Sequence, residues 1–299
     1  MANSVETQNK CGLRREDFQT TINGKHTDLF ILRNSSGNEL AFTNYGGAIV
    51  AIMVPDKNGN YANVIQGHDS IQGVINSEEP YLSRIIGRYG NRIAKGKFQL
   101  HGKQYELYTN DGPNHLHGGK SGFNVKVWDA TQVNDHAVVM KYTSPYGEEG
   151  YSGEVNVWVG YSWTDDNELI IKYRATTNKK TIINLTHHGF FSLAGDADPT
   201  PDVLNVETQL NADYFLPIDN TSIPTGEILK VEGTPFDFRT PHTIGERIND
   251  DNEQLKNGTG YDHCYVLNKK EEGELSFAAK LHEPVSGRTM EVYTTEPGL

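Results

Sequence analysis

Three separated stretches of this chain set imidazoles or a carboxylate among glycines and amides. They are Asn114-His115-Leu116-His117-Gly118-Gly119, Asn184-Leu185-Thr186-His187-His188-Gly189-Phe190-Phe191 and Gly260-Tyr261-Asp262-His263. An imidazole gives and takes protons near neutral pH, and a carboxylate accepts several hydrogen bonds. Groups of these types, distant in sequence, are the inventory of an acid/base site for a small polar molecule. If residues 181–188 are extended, Ile183, Leu185 and His187 share one face and Asn184, Thr186 and His188 the other. His188 lies on the polar face and is the candidate for proton transfer; His187 is the candidate for packing.

His115 and His117 have the His-x-His spacing of cupin-type metal sites, but no carboxylate or third imidazole follows them in a matching pattern. The metal expectation is therefore none, and the two following glycines point to close approach of a ligand or of backbone. Arg84, Arg88 and Arg92 punctuate residues 81–95 with no acidic residue beside them, and such donors suit a polyhydroxylated ligand. An ion pair with one of the 39 acidic residues is the plainer alternative. There is no Gly-x-Ser-x-Gly elbow, Walker loop or dinucleotide fingerprint, so no cofactor is expected.

The elements that must hold these groups read as short strands. Residues 28–33, 39–44 and 48–54 form the first runs, and Pro55-Asp56-Lys57-Asn58-Gly59-Asn60 turns the last of them. Residues 98–108 read as a hairpin around His101-Gly102. Further runs follow at 125–130, 137–144, 155–163 and 168–176, with Asp165-Asp166-Asn167 turning the final pair. Only residues 243–255 could hold a turn or two of helix. Many short strands with regular turns predict an all-β fold, mainly antiparallel, of sandwich or barrel type. Residues 1–20 read as a polar N-terminal arm and 21–299 as a single domain.

The net charge of −12 argues against a nucleic-acid partner, since phosphate binding needs clustered basic surface. Cys11 and Cys264 stand at opposite ends with no metal-type spacing and are expected as unrelated thiols. No apolar run approaches the roughly 18 residues of a membrane span. The N-terminal segment lacks the apolar core of a secretory signal. A cytoplasmic protein without a membrane partner is the resulting expectation, with monomer and homodimer both open.

Taken jointly, the segments resemble the aldose 1-epimerase (galactose mutarotase) family along nearly the whole chain. The strings that carry the resemblance are Thr43-Asn44-Tyr45-Gly46-Gly47, Pro55-Asp56-Lys57-Asn58-Gly59, residues 87–96, 115–119 and 184–195, Ile223-Pro224-Thr225-Gly226, and residues 233–239, 260–267 and 292–298. The resemblance implies a large antiparallel β-sandwich with an open sugar cleft. It also implies interconversion of the α and β anomers of an aldose, with galactose and glucose the usual substrates. His188 matches the family's general acid and His117 a sugar-contacting imidazole. Arg92, with Asn91 beside it, matches the arginine that binds sugar hydroxyls, and Asp262 a carboxylate that accepts from the sugar. Glu296 stands where a ligand-contacting Gln is frequent, and Gly189 and Phe190 where Ser and Tyr are common. The family's general base is a glutamate on a late strand, which the resemblance places beyond Leu299 together with the last strands of the sandwich. The base is thus expected to be absent from this chain, with Glu296 the nearest substitute. The competing expectations are a non-catalytic sugar-binding module, a hexose-phosphate 1-epimerase and a metal-dependent cupin-like enzyme.

Overall fold

The structure is a computed structural model that describes residues 9–196 and 203–299. The chain divides into two compact units, Met1–Pro55 with Gly59–Asp196, and Asp56–Asn58 with Ala197–Leu299. No linker composition marks this division in the sequence, which reads as a single domain over 21–299.

In the first unit, antiparallel strands Leu29–Arg33, Glu39–Thr43, Ile49–Pro55 and Tyr61–Asn63 follow one another in a four-stranded sheet. A second sheet runs through Asp129–Asn134, Ala137–Ser144, Val155–Trp163 and Leu169–Thr177, also in sequence order. Strand Val155–Trp163 buries every second residue, Val155, Val157, Val159, Tyr161 and Trp163, as the twofold period of a pleat requires. These side chains pack with Leu32, Leu40, Phe42 and Ile52 of the first sheet in one core, so the two sheets form a sandwich.

All five residues of Glu39–Thr43 are buried, because the first sheet is covered on its other face as well. There Ala41, Val50 and Ala51 meet Phe18, Ile71 and Val74. Phe18 is wholly enclosed, a burial that contributes about 2–3 kcal/mol. The expected arm is corrected accordingly: Arg15–Phe18 is a 3-10 turn and Thr20–Ile22 a strand, with Cys11 and Leu13 packed on the same cluster. The first eight residues of that arm lie outside the described residues.

The hairpin at 98–108 forms from Lys97–Leu100 and Lys103–Glu106, with His101 and Gly102 both in the left-handed region at its turn. The expected strand at 125–130 starts only at Asp129. Phe123–Val125 is a 3-10 turn, and the following backbone is taken by Asn44 and Gly46 through Trp128 N–H to Asn44 O (2.9 Å) and Gly46 N–H to Lys126 O (2.7 Å).

The second unit holds one sheet of His242–Thr243, Glu207–Leu210, Ser276–His282 and Thr289–Thr294. A smaller one joins Leu229–Lys230, Tyr214–Phe215 and Tyr265–Val266. Its core centres on Phe215 stacked on Phe236 at 4.4 Å. The helical signal at 243–255 resolves into a 3-10 turn, Ile244–Glu246, and a helix, Glu253–Gly258. The helix starts late because Asn252 caps it, its Oδ1 accepting from Gln254 N–H (2.8 Å) and Leu255 N–H (3.2 Å). Among the described residues no helix is long and apolar enough to cross a membrane.

Candidate active site

The first unit gathers His117, His188, Asn91, Arg92 and Phe190. Two short ladders do this. Thr186–His187 pairs antiparallel with Ile85–Ile86, and His115–Leu116 pairs antiparallel with Arg92–Ile93. The chain around His188 is zipped to residues 83–90. His188 N–H donates to Arg84 O (3.0 Å), Ser83 N–H to His188 O (2.8 Å) and Asn184 N–H to Arg88 O (2.9 Å). Adjacent residues of a strand face opposite ways, so His187 and His188 part company. His187 packs edge-on to Tyr161 at 5.7 Å, while His188 meets His117 edge-to-face at 4.6 Å. The extended run expected over 181–188 is shorter than its pattern suggests, and Ile183 lies 39% exposed instead of packed, because the ladder covers only two residues.

His117 is fixed by reciprocal bonds with Asn91. His117 N–H donates to Asn91 O (3.1 Å), and Asn91 N–H donates to His117 Nδ1 (2.9 Å). An Nδ1 that accepts leaves the proton on Nε2, so this ring is assigned as a neutral donor through Nε2. Burial pushes His117 down to about 3, and the nearby His188 and Arg92 act in the same direction. His187 is likewise pushed down to about 3, by burial and then by His188. His115 is wholly buried, with Nδ1 2.7 Å from Tyr108 O and Nε2 2.5 Å from Tyr151 Oη. Both its ring nitrogens are thus engaged in structure, and burial holds it on the neutral side.

The three arginines, alike in sequence, meet different partners, and only Arg92 takes the ion pair that was the plainer alternative. Arg92 does have an anionic partner: its Nε donates to Asp111 Oδ2 at 2.7 Å, with its side chain only 16% exposed. Arg88 is buried, and its guanidinium donates to Ser144 Oγ, Ser152 O and Pro145 O. Arg84 is buried too and donates to Val74 O and Asn124 O. Arg84 and Arg88 are framework, and only Arg92 stands beside the imidazoles.

Of the glycines after His117, Gly118 admits backbone and Gly119 the Glu149 carboxylate. A Cβ on Gly118 would sit 2.0 Å from Gly87 O, and both Gly118 and Gly119 have left-handed φ. Glu149 closes the same loop, its carboxylate accepting from Lys120 N–H and Ser121 N–H at 3.0 Å each. At Gly189 a Cβ would meet the Phe191 ring at 2.6 Å, so any side chain there must displace that ring. Phe190 lies 5.9 Å from His188, ring to ring, and its N–H donates to Ser83 Oγ. In the second unit, Asp262 is exposed, framed by Tyr261 Oη donating to Pro235 O and by His263 against Gln254. Glu296 is exposed, its N–H donating to Thr294 Oγ1.

Residues 28–299 match the aldose 1-epimerase family. The chain belongs to this family. It is 43% identical to galactose mutarotase of Bos taurus over 255 residues, covering 85% of this chain and 71% of that one. Aldose 1-epimerase of Escherichia coli (strain K12) is 34% identical over 276 residues, 92% of this chain and 78% of the relative. The crystal structure of a GalM/aldose epimerase homologue from C. elegans superposes with a TM-score of 0.79 at 26% identity, over 91% of this chain and 80% of the other. The chain is accordingly an enzyme of the isomerase class with a galactose mutarotase-type fold. Three residues that sequence reasoning missed also pack on this cluster, Tyr81, Asn110 and Asp111. Tyr81 packs against His117 at 4.6 Å, Asn110 donates to Leu116 O and Gly119 O, and Asp111 holds Arg92. Asn110-Asp111-Gly112-Pro113 reads locally as a turn, and nothing in its spacing ties it to Arg92.

Proposed function

We propose that this chain interconverts the α and β anomers of an aldohexose, with His188 as the general acid. The observation that carries this reading is the edge-to-face pair of His117 and His188 beside the Arg92–Asp111 ion pair. Anomer exchange needs a proton delivered to the ring oxygen and one removed from the C1 hydroxyl. The C1–O5 bond then breaks to the free aldehyde, the C1–C2 bond rotates, and closure returns both protons. Within this unit His117 and His187 are pushed down to about 3, by burial first, and deliver protons poorly near pH 7. Family position and the polar face of its strand assign proton transfer to the ring oxygen to His188. His117 supplies an Nε2–H donor for a sugar oxygen. Arg92 and Asp111 offer a donor and an acceptor side by side, the combination a hydroxyl group uses. Asn91, Gly189 and Phe190 shape this site, and Asp262 and Glu296 are the ligand contacts assigned by family position.

Polarimetry of freshly dissolved α-D-galactose and α-D-glucose tests the proposal. Acceleration over the spontaneous rate is expected, and His188→Ala should lower it by about 10²–10⁴-fold, the usual contribution of a placed acid. Acceleration would also locate the complementary base within these residues, making Glu296→Gln the next variant. Saturable sugar binding without acceleration would instead favour a binding module. A His188→Ala protein as fast as its parent would remove His188 from the mechanism.

A further inference from the structure

We infer that Tyr81 is a positioning residue that sets the separation and tilt of the His117 and His188 imidazoles. The inference rests on the proposed function for its kinetic consequence but on packing for its substance. The Tyr81 ring contacts both imidazoles, at 4.6 Å and 63° from His117 and at 6.2 Å and 68° from His188. The two imidazoles lie 4.6 Å apart at 80°, so the three rings form a mutually edge-to-face triangle. Such contacts have a preferred geometry, with ring edges directed at ring faces, and therefore orient rings as well as bury them.

Tyr81 is itself fixed from three directions. Its N–H donates to Glu79 Oε1 (3.1 Å), and its carbonyl accepts from Arg84 N–H (3.3 Å) in the turn that precedes His188's partner strand. Its hydroxyl accepts from Asn110 Nδ2 at 3.3 Å. The same Asn110 side chain donates to Leu116 O (2.9 Å) and accepts from Leu116 N–H (2.8 Å), its other N–H being shared between the Tyr81 hydroxyl and Gly119 O (3.3 Å). Tyr81 and the His117 loop are thus latched to one amide, while the backbone after Tyr81 carries His188 through Ser83 and Arg84. Burial keeps Tyr81 a neutral phenol, so it adds no charge between the imidazoles. The hydroxyl serves the latch and the ring serves the triangle.

Proton transfer depends steeply on reach, and about 1 Å of misplacement costs on the order of 10² in rate. Tyr81→Phe keeps the ring and loses only the latch. Tyr81→Leu removes the ring, and Tyr81→Met, which fills more of the space, replaces it should the leucine variant fail to fold. Mutarotation kinetics are read together with 15N spectra of the histidine side chains. Tyr81→Phe is expected within about 3-fold of the parent in kcat. Tyr81→Leu is expected to lose about 10–100-fold in kcat with KM changed by less than about 3-fold, and to shift or broaden both imidazole signals. Unchanged spectra in a folded Tyr81→Leu or Tyr81→Met protein would overturn the inference. So would a Tyr81→Phe protein as impaired as Tyr81→Leu, since the hydroxyl would then be the operating group. The spectra report positioning even in a protein that does not accelerate mutarotation, so failure here and failure of the proposed activity are separate results.

Discussion

Asp111 fixes Arg92, the arginine proposed to bind the sugar. A lone guanidinium pivots on a flexible stem, whereas one held at 2.7 Å by a carboxylate presents its remaining N–H groups in a fixed plane. The carboxylate also keeps lone pairs to accept from a hydroxyl. Replacing it by Asp111→Asn retains shape but removes the charge-assisted bond, a change of about 1.5–3 kcal/mol for a bond to a charged group. Galactose binding followed by titration calorimetry should weaken about 10-fold. An unchanged affinity would show that Arg92 does not touch the sugar. His117 illustrates the same scale: its tautomer follows from one backbone N–H, that of Asn91, which stands in a left-handed conformation at φ 66°.

At the scale of elements, the site depends on backbone packed so closely that side chains are excluded. Gly118 lies against Gly87 O, where a Cβ would approach to 2.0 Å, in a loop held by Glu149 and Asn110. Gly102 has a similar left-handed φ of 77°, but a Cβ there would meet nothing within 4 Å, since the residue turns an exposed hairpin. Alanine at Gly102 should therefore cost only the left-handed penalty of about 1 kcal/mol. Alanine at Gly118 adds a steric clash and should cost about 3 kcal/mol or more. Urea titration of the two variants checks this, and equal midpoints would contradict the packing argument. Both positions are glycines followed or preceded by polar residues, so their sequence context does not separate them.

For the whole molecule, the buried imidazoles set the acid limit of stability. His117 and His187 are held down to about 3 in the fold, whereas the unfolded chain takes up a proton at the ordinary value of 6.5. Between these values the unfolded state binds more protons, so stability falls as pH drops through this window. Each group contributes a slope approaching about 1.4 kcal/mol per pH unit, and the two together about 3. Against a typical total of about 5–15 kcal/mol, that is a large share of the stability. Asp237, held low by its hydrogen bond from Arg239, contributes stability above the ordinary carboxylate value of 3.8 and loses it only below that value, outside most of this window. Urea midpoints at pH 7.5, 6 and 5 should decline steadily, and His187→Asn should flatten the decline. A midpoint independent of pH between 7 and 5 would contradict it.

The all-β class, the strands at 137–144 and 155–163 and the hairpin turn at His101-Gly102 are written in local pattern, because a pleat has a period of two and a tight turn needs left-handed residues. The opposed faces of His187 and His188 follow from that same period. Whether a particular cation finds an anion is not local: Arg84, Arg88 and Arg92 look alike in sequence, yet two are buried among carbonyls and one pairs with a residue 19 positions away. Phe18 reads as part of a polar arm until the first sheet offers its second face. Tyr81 stands beside no other site residue in sequence and becomes one only when two ladders bring His117 and His188 to its edges. Residue type and period specified the chemistry available and the elements that carry it, whereas long-range packing decided which of those groups meet.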